Sequence, residues 1–199
     1  MDEPHFGSAA YFERIAAEAG DDWDWRALHH VRMDWCLSAL ARFGRPRYEH
    51  ALDLGCGYGH FSAMLARRCG EVLGVDGVAD AVGRAAGRYP HIRFQRGRLE
   101  DLEFPGGQFD LICVLDILYY LSPEARLEQQ ANLARWLAPG GDLLIAARMK
   151  VTPYFRPEEA EALIPSGLTL VAGDDLAFGR LHGVEAFAAF RDHGKELGL

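Results

Sequence analysis

The chain has 199 residues, of which 49% are apolar and 25% are charged, and its net charge at neutral pH is −8. These values are typical of one globular domain with a full core, and they argue against nucleic-acid binding, which uses clustered Lys and Arg side chains. No apolar run of about 18 residues predicts a membrane span, and the acidic start "MDEPHFGSAA" lacks the features of a secretory signal, so we expect a cytoplasmic protein.

The first predicted elements are helices within residues 8 to 43. In the second of them, apolar residues recur at helical spacing and predict one apolar face, with His29, Arg32 and Arg42 on other faces. The members of this face are Leu28, Val31, Trp35, Cys36, Ala39, Leu40 and Phe43. The segment "RPRYEH" ends the helix before the first strand.

The middle of the chain alternates short apolar segments with helical patterns. Strands are predicted at 50–55, 71–76, 92–97, 109–115 and 142–148, and helices at 59–69, 78–88 and 123–137. The last helix has Ser122 as its candidate N-cap, Pro123 at its first position, and Gly140 and Gly141 past its end. This alternation predicts an α/β fold with a parallel sheet and right-handed crossovers.

The remaining elements are a helix in "PEEAEALI" and two strands, "LTLVAG" and "VEAFAAFR", which we expect to pair antiparallel. The complete prediction is a Rossmann-like, doubly wound, seven-stranded sheet. Its strands are mostly parallel, its last strand is antiparallel, and helices cover both faces.

A glycine-rich turn follows the first predicted strand, in "ALDLGCGYGHFS" at residues 51 to 62. Glycine lets a ligand approach the main chain closely, and such a turn in a doubly wound sheet is where nucleotide-like ligands bind. Gly55, Gly57 and Gly59 alone would also suit a plain tight turn. Asp76, however, ends the second strand 21 residues after Gly55, where a carboxylate can accept hydrogen bonds from ribose hydroxyls.

The glycine spacing indicates which nucleotide is bound. Dinucleotide enzymes use G-x-G-x-x-G, whereas this chain has G-x-G-x-G, with His60 at the place of the third glycine and Asp53 just upstream. A carboxylate suits a cationic ligand better than a pyrophosphate. The pattern therefore favours S-adenosylmethionine, which carries a ribose and an ammonium but no phosphate, over a nicotinamide cofactor.

The chain resembles the class I S-adenosylmethionine-dependent methyltransferases over about residues 50 to 148. The matching segments, in order, are "LDLGCGYGHFS", "VLGVD", "LEDLEFPGGQFDLICVLDIL" and "LARWLAPGGDLLIAA". The segment "ILYYLS", the short length and the helical lead-in more particularly resemble the nodulation N-methyltransferase family, which methylates an amino-sugar nitrogen. We expect one methyltransferase domain over 1–199, with a helical lid at 1–47, a cofactor-binding core at 48–150 and a C-terminal helix and final strands at 151–199.

The resemblance implies a role for each matching position. Asp53 and the glycine loop would border the methionine moiety, Asp76 would hold the ribose, and Gly77 would lie beside the adenine. Arg98 occupies a position where the family often has an acid that contacts the adenine amino group, so the Leu99 backbone, Glu100 or Asp101 would take this role. The full expected cofactor set is Asp53, Gly55, Gly57, Gly59, Asp76, Gly77, Leu99, Leu115 and Arg32.

Methyl transfer from a sulfonium is an in-line displacement that needs alignment and removal of water rather than a metal, and it leaves S-adenosylhomocysteine as product. An amine must attack as the free base, so Asp116 is the candidate proton acceptor, with a helix N-cap as the alternative role. Tyr119 is a second catalytic candidate, and Tyr119 and Tyr120 would be walls of the acceptor site or core residues.

The resemblance further implies that the aromatic-rich N-terminal segment "DDWDWRALHHVR" closes over the cofactor and shapes the substrate site, and such closure would exclude water. In this segment Trp25 is a candidate wall and Arg32 a ligand for a carboxylate or hydroxyl. His29 and His30 are more typical of a helix surface than of catalysis, and His60 is a candidate cap of the helix after the loop. The four cysteines show no metal-ligand spacing, so we expect reduced thiols.

The sequence thus favours a methyltransferase that acts on a small-molecule amine. The alternatives are an O-methyltransferase for a hydroxyl or carboxylate, and a protein that binds S-adenosylmethionine without catalysis. We expect no metal, nucleic-acid or membrane partner, and a monomer or homodimer.

Overall fold

The computed structural model describes residues 8–19, 27–149, 163–168, 174–177 and 185–188. The helices are α1 (Ala9–Ala19), α2 (Ala27–Phe43), α3 (His60–Leu65), α4 (Ala79–Arg88) and α5 (Pro123–Trp136). The strands are β1 (Tyr48–Leu54), β2 (Cys69–Asp76), β3 (Arg93–Arg96), β4 (Phe109–Leu115), β5 (Leu137–Met149), β6 (Asp174–Ala177) and β7 (Glu185–Ala188).

Five parallel strands with helices form the centre of the fold, which confirms the predicted doubly wound architecture. The strand order is β3-β2-β1-β4-β5-β7-β6. Strand β1 pairs in parallel with both β2 and β4, and β4 pairs in parallel with β5. The short strands β7 and β6 follow β5 with antiparallel pairing.

The register brings three strand ends together at one edge of the sheet. Leu54 of β1 lies opposite Val75 of β2 on one side and Val114 of β4 on the other. Strands β2 and β3 lie on one side of β1, and strands β4 and β5 lie on the other. This edge is therefore a topological switch point, where open α/β sheets bind ligands. The glycine turn, Asp76 and the end of β4 therefore converge there.

The core consists of two apolar clusters, one on each face of the sheet. Alternate residues of β1 and β4, such as Leu52 and Ile112, pack under α5, whose Leu133 and Trp136 are fully buried. The residues between them pack under α2 and α3. The strands read as continuous apolar runs because both of their faces are covered.

Two predicted boundaries were wrong. Helix α3 ends at Leu65 rather than at 69, and β5 begins at Leu137, so Gly140 and Gly141 lie within a strand. Helix α5 does begin as predicted, since the Ser122 Oγ accepts a hydrogen bond from the Ala125 N–H at 3.2 Å. The early part of β5 is irregular: the pairing passes from Phe109↔Leu137 directly to Leu111↔Asp142, so β5 carries the extra residues as a bulge.

The apolar face of α2 also differs from the prediction. Val31 and Phe43 are 42% and 41% exposed, whereas Arg32, which was assigned to another face, is only 7% exposed. The C-terminal end of α2 is held by Arg68, whose guanidinium donates to the carbonyls of Leu37, Leu40 and Arg45 at 3.3, 3.2 and 3.1 Å. This anchor orients the helix so that Arg32 points at the switch point.

The C-terminal predictions lie largely outside the described residues. The predicted helix "PEEAEALI" is described only from residue 163 onward, and the predicted strand "LTLVAG" only at Leu168. Strand β6 begins after that segment, and β7 falls within "VEAFAAFR". Among the described helices, none has the length and apolarity needed to cross a membrane.

Candidate active site

The glycine turn after β1 has a backbone that only glycine adopts readily. Gly55, Gly57 and Gly59 have φ values of 72°, 51° and 81°. The N–H groups of Gly55 and Cys56 both donate to the Val75 carbonyl, at 2.8 and 3.0 Å. The turn is therefore tied to β2 and leaves bare main chain at the switch point.

Neighbouring side chains leave no room for a Cβ in this turn. A Cβ at Gly55 would collide with Ile117 Cγ2, and one at Gly59 would lie 2.7 Å from Phe94 Cζ. Both contacts are closer than real Cβ atoms allow. Glycine is thus required here by space as well as by φ.

Asp76 holds the glycine turn from the end of β2. Its Oδ2 accepts from the Gly57 N–H at 2.9 Å, and its Oδ1 accepts from the Val78 N–H at 2.8 Å. Burial raises the pKa of the Asp76 carboxyl above its ordinary value, and backbone N–H groups oppose that shift. Each oxygen has a further lone pair, so the carboxylate can also accept hydrogen bonds from a ligand.

Two adjoining cavities, of about 130 and 150 Å³, lie at the switch point. The first extends from the glycine turn to the end of β4, and the second extends towards the ends of β2 and β3. Asp76 lines both cavities, as do Gly55, Val78 and Ile117. Of the predicted cofactor residues, all but Gly59 line one or both of these cavities; Gly59 lies behind them as the N-cap of α3.

Asp53 and Leu115 lie in the first cavity. Asp53 is 2% exposed and accepts a hydrogen bond from the Ser62 hydroxyl at 2.5 Å. Leu115, the last residue of β4, is buried and lies across the cleft from the glycine turn. Their roles towards a cofactor stay predictions.

Asp116 follows β4 and has a left-handed backbone, with φ 57°. Its N–H donates to the Ala146 carbonyl at 2.8 Å, and its carboxylate forms an ion pair with the Arg32 guanidinium. The two side chains are 13% and 8% exposed and line the first cavity. Asp116 is not a helix N-cap, since the next element is a single 3-10 turn that begins after Ile117.

Aromatic rings form the wall beside Asp116. Tyr119 is 6% exposed, and its ring centre lies 4.5 Å from that of Tyr120. Tyr120 in turn packs edge-on against Phe12 of α1, with 4.6 Å between ring centres. Phe12, Ile15 and Ala16 line the first cavity and were missed, although their spacing of three and four residues is the signature of one helix face.

Gly77 and Leu99, the residues expected beside the adenine, line the second cavity. The position beside them is taken by Arg98, whose guanidinium lies 3.5 Å from Glu100 and 3.9 Å from Asp101. These three side chains are largely exposed, so the apolar floor of the cavity comes from neighbours such as Leu102.

Neither His30 nor His60, two of the histidines that the structure describes, lines the cleft. His60 is 2% exposed, with Nδ1 at 2.8 Å from the Tyr89 hydroxyl and Nε2 at 3.1 Å from the Arg88 guanidinium. It therefore anchors α3 to α4, and the cap of α3 is Gly59. Trp25 and the His29 side chain lie outside the described residues, and His30 lines neither cavity.

The cysteines are buried free thiols, as predicted. Burial raises the pKa of the Cys36 thiol to about 12, which keeps it protonated beside the Arg32–Asp116 pair. Across the described ranges, no three His, Cys, Asp or Glu side chains are grouped so that they could hold a metal ion.

Comparison with known proteins gives a consistent family. Residues 51–141 match the family model described as a methyltransferase domain. The nodulation protein S of Rhizobium tropici is 36% identical over 138 residues, which are 65% of this chain and 56% of that protein. The trans-aconitate 2-methyltransferase of Deinococcus radiodurans is 38% identical over 104 residues, or 51% of this chain and 38% of that protein.

Among solved structures, the N-methyltransferase NodS of Bradyrhizobium japonicum in complex with S-adenosyl-L-homocysteine has a TM-score of 0.78. The alignment covers 92% of this chain and 97% of that chain at 22% identity, so it establishes a shared fold. The chain spans about half the length of the curated relatives that it matches.

The residues of the cleft fit S-adenosylmethionine, the donor of this class. The glycines of the turn carry no side chains that would take up space in the cleft. The buried carboxylate of Asp76, which has spare lone pairs, lines both cavities. The donor is an elongated molecule with apolar, hydroxylated and charged parts. The cleft offers surfaces of each kind: Leu102 lines the second cavity, Arg32 and Asp53 line the first, and Asp76 lines both.

We predict that Gly55→Ala lowers the free energy of unfolding by roughly 1–3 kcal/mol, the scale of a strained backbone. The matched control is Gly83→Ala in the middle of α4, where the new Cβ would meet no atom within 4 Å. That control should gain about 0.5–1 kcal/mol from lower chain entropy. Urea denaturation followed by circular dichroism measures both, and equal stability of Gly55→Ala and the parent would contradict the requirement for glycine.

We predict that Asp76→Ala weakens binding of S-adenosylhomocysteine by about 1–3 kcal/mol, because hydrogen bonds to a charged acceptor are lost. Calorimetric titration measures the affinity. Asp80→Ala is the matched control, since Asp80 lies in the first turn of α4, pairs only with the exposed Arg84 and lines neither cavity. An unchanged affinity for Asp76→Ala would refute the ribose assignment.

Proposed function

Residues 51–141 of this chain are a methyltransferase domain of the S-adenosylmethionine-dependent class, and from this premise we propose that the protein methylates the nitrogen of a small-molecule amine. The observation that carries the proposal is the carboxylate of Asp116. It lies at the end of β4, opposite the glycine turn, in a cavity walled by Tyr119 and Tyr120. A carboxylate beside aromatic rings is the environment in which an ammonium group binds well.

The chain's own residues would divide the work along the cleft. Asp76 would bind the ribose, Gly77 and Leu99 would border the adenine, and the glycine turn with Asp53 would border the methionine end. When bound, S-adenosylmethionine supplies an electrophilic methyl group. The protein's contribution is to align the acceptor with that methyl and to exclude water, which can be worth roughly 7–11 kcal/mol.

Asp116 would hold the acceptor nitrogen and take its proton. A protonated amine has no lone pair with which to attack, so a nearby proton acceptor raises the fraction of reactive amine. The backbone of Asp116 is fixed by the hydrogen bond from its N–H to Ala146, so its carboxylate is presented from a rigid position. Tyr119 and Tyr120 would orient the acceptor and keep water out.

Helix α1 would act as the lid of the cleft. Phe12 lines both cavities and packs on Tyr120, and Glu13 lies 3.9 Å from Arg96 at the end of β3. An exposed ion pair of this kind is weak, so α1 is held mainly by its aromatic contacts. A helix that lies over the mouth of a cleft can open for exchange of ligands and close for the reaction.

A specific observation supports a second candidate, methylation of a carboxylate or hydroxyl oxygen. Arg32 lines the same cavity as Asp116, and a guanidinium binds carboxylates with two parallel hydrogen bonds. One relative carries the name trans-aconitate 2-methyltransferase. In this alternative, Arg32 would bind the acceptor rather than the cofactor.

The test of the proposal is formation of S-adenosylhomocysteine from S-adenosylmethionine with a panel of acceptors. The panel contains amino sugars and simple primary amines, their N-acetylated forms as matched controls, hydroxy acids, and tricarboxylic acids that include trans-aconitate. We expect product with free amines and none with the acetylated controls. Product only with carboxylic acids would replace the proposal with the second candidate.

We predict that Asp116→Asn lowers turnover on the accepted amine by at least about a hundredfold, the usual scale for loss of a general base. The control is Asp110→Asn, which changes the same charge on the same strand at the opposite edge of the sheet, where Asp110 accepts from Glu49 and His50 N–H groups. Initial rates at saturating donor measure the effect. Full turnover of Asp116→Asn would remove Asp116 from the reaction.

A further inference from the structure

The ion pair between Arg32 and Asp116 lies in the cleft, and the packing of the core does not account for it. Both side chains are more than four-fifths buried, and both line the first cavity. Desolvation of two charges generally cancels much of their attraction, so a buried pair is weak evidence for a stabilising role. The pair also lies where ligands are expected to bind rather than within the core.

The first cavity has an uneven charge. Among its described lining residues, Asp53, Asp76 and Asp116 are acids. Arg32 is the only basic residue in that set. S-adenosylmethionine and S-adenosylhomocysteine both end in an amino acid, which carries one carboxylate and one ammonium. Among the lining residues that the structure describes, the cationic partner for a carboxylate entering this cavity is Arg32, to which Asp116 is already bound.

We propose that Arg32 exchanges partners during the reaction: it holds Asp116 in the free protein and transfers to the carboxylate of the cofactor when the cofactor binds. This inference rests on the proposed function, since it needs the methionine end of the cofactor in the first cavity. The exchange releases the Asp116 carboxylate to face the acceptor amine. No covalent bond is made or broken in this step, because one ion pair replaces another.

The construction of the pair supports movement of Arg32 rather than of Asp116. The Asp116 backbone is fixed by its left-handed φ and by the hydrogen bond to Ala146, and its side chain is short. Arg32 reaches the cavity from α2 through a long side chain, and its planar guanidinium can move from one carboxylate to another with a small rotation. The helix that carries it is anchored at its other end by Arg68.

The exchange would impose an order on binding. Before the cofactor arrives, the Arg32–Asp116 pair is neutral overall and attracts an ammonium group weakly. After the exchange, Asp116 is an unneutralised carboxylate whose side chain is only 13% exposed, so its attraction to an amine is less screened by solvent. The acceptor would therefore bind well only after the donor, which prevents an unproductive complex.

The experiment compares three ligands by calorimetric titration: S-adenosylhomocysteine, its decarboxylated amine and 5′-methylthioadenosine. The first has a carboxylate and an ammonium, the second has the ammonium only, and the third has neither. The variants are Asp116→Asn and Arg32→Met. The matched controls are Asp110→Asn and Arg45→Met, which alter an Asp–Arg pair of 3.8 Å at the opposite edge of the sheet.

If the exchange occurs, Asp116→Asn binds S-adenosylhomocysteine about tenfold more tightly than the parent, because the competitor for Arg32 is gone. Arg32→Met binds it about tenfold more weakly. In neither variant does the affinity for methylthioadenosine change by more than about twofold, and Asp116→Asn gives no gain for the decarboxylated amine. The controls should bind all three ligands like the parent.

Asp116→Asn that binds S-adenosylhomocysteine no more tightly than the parent overturns the exchange, and so does an equal gain for all three ligands. Thermal unfolding of each variant without ligand checks that it is folded. Should Arg32→Met not fold, Arg32→Lys provides the second measurement, with the same selective loss expected. A parent protein that binds none of the three ligands would instead refute the proposed function.

Discussion

The hydrogen bonds that Asp76 accepts from Gly57 and Val78 are the constraint on which the cleft depends. They tie the glycine turn after β1 to the end of β2, and the Gly55 and Cys56 N–H groups strengthen the same junction through the Val75 carbonyl. The three glycines of the turn have left-handed backbone angles in this arrangement, so they leave bare main chain between the side chains of Cys56 and Tyr58, which line the first cavity. A buried carboxylate gains from additional donors, which makes Asp76 receptive to hydroxyl groups.

The opposite wall of the cleft is costly to maintain. A left-handed backbone at a residue other than glycine costs of order 1–3 kcal/mol, and Asp116 has this backbone beside a desolvated Arg32. Loss of one member of a buried ion pair generally costs roughly 3–5 kcal/mol, so each member holds the other in place. The sheet tolerates this loss of stability because apolar clusters cover both of its faces. The apolar core thus stabilises the fold, whereas the features at this edge of the sheet reduce its stability.

Much of this arrangement could be predicted from local sequence, and the part that could not has a common cause. Short apolar runs predicted strands β1 to β5, and the glycine spacing predicted the turn after β1. Both could be predicted because each signal lies within the element itself or a few residues from it. The burial of Arg32 could not be predicted, since its partner Asp116 is distant in sequence and a lone arginine on a helix usually faces solvent. The bulge at the start of β5 likewise follows from pairing with β4.

The charges of the described residues that line the first cavity support the proposal of an amine rather than a carboxylate as acceptor. With every group ionised, its three carboxylates and single guanidinium leave two negative charges. S-adenosylmethionine brings one net positive charge, from its sulfonium, because its ammonium and carboxylate cancel. One negative charge then remains, and a protonated amine neutralises it, whereas a carboxylate acceptor would restore two negative charges among largely buried side chains. Arg32 cannot serve a second carboxylate while it is bound to the first.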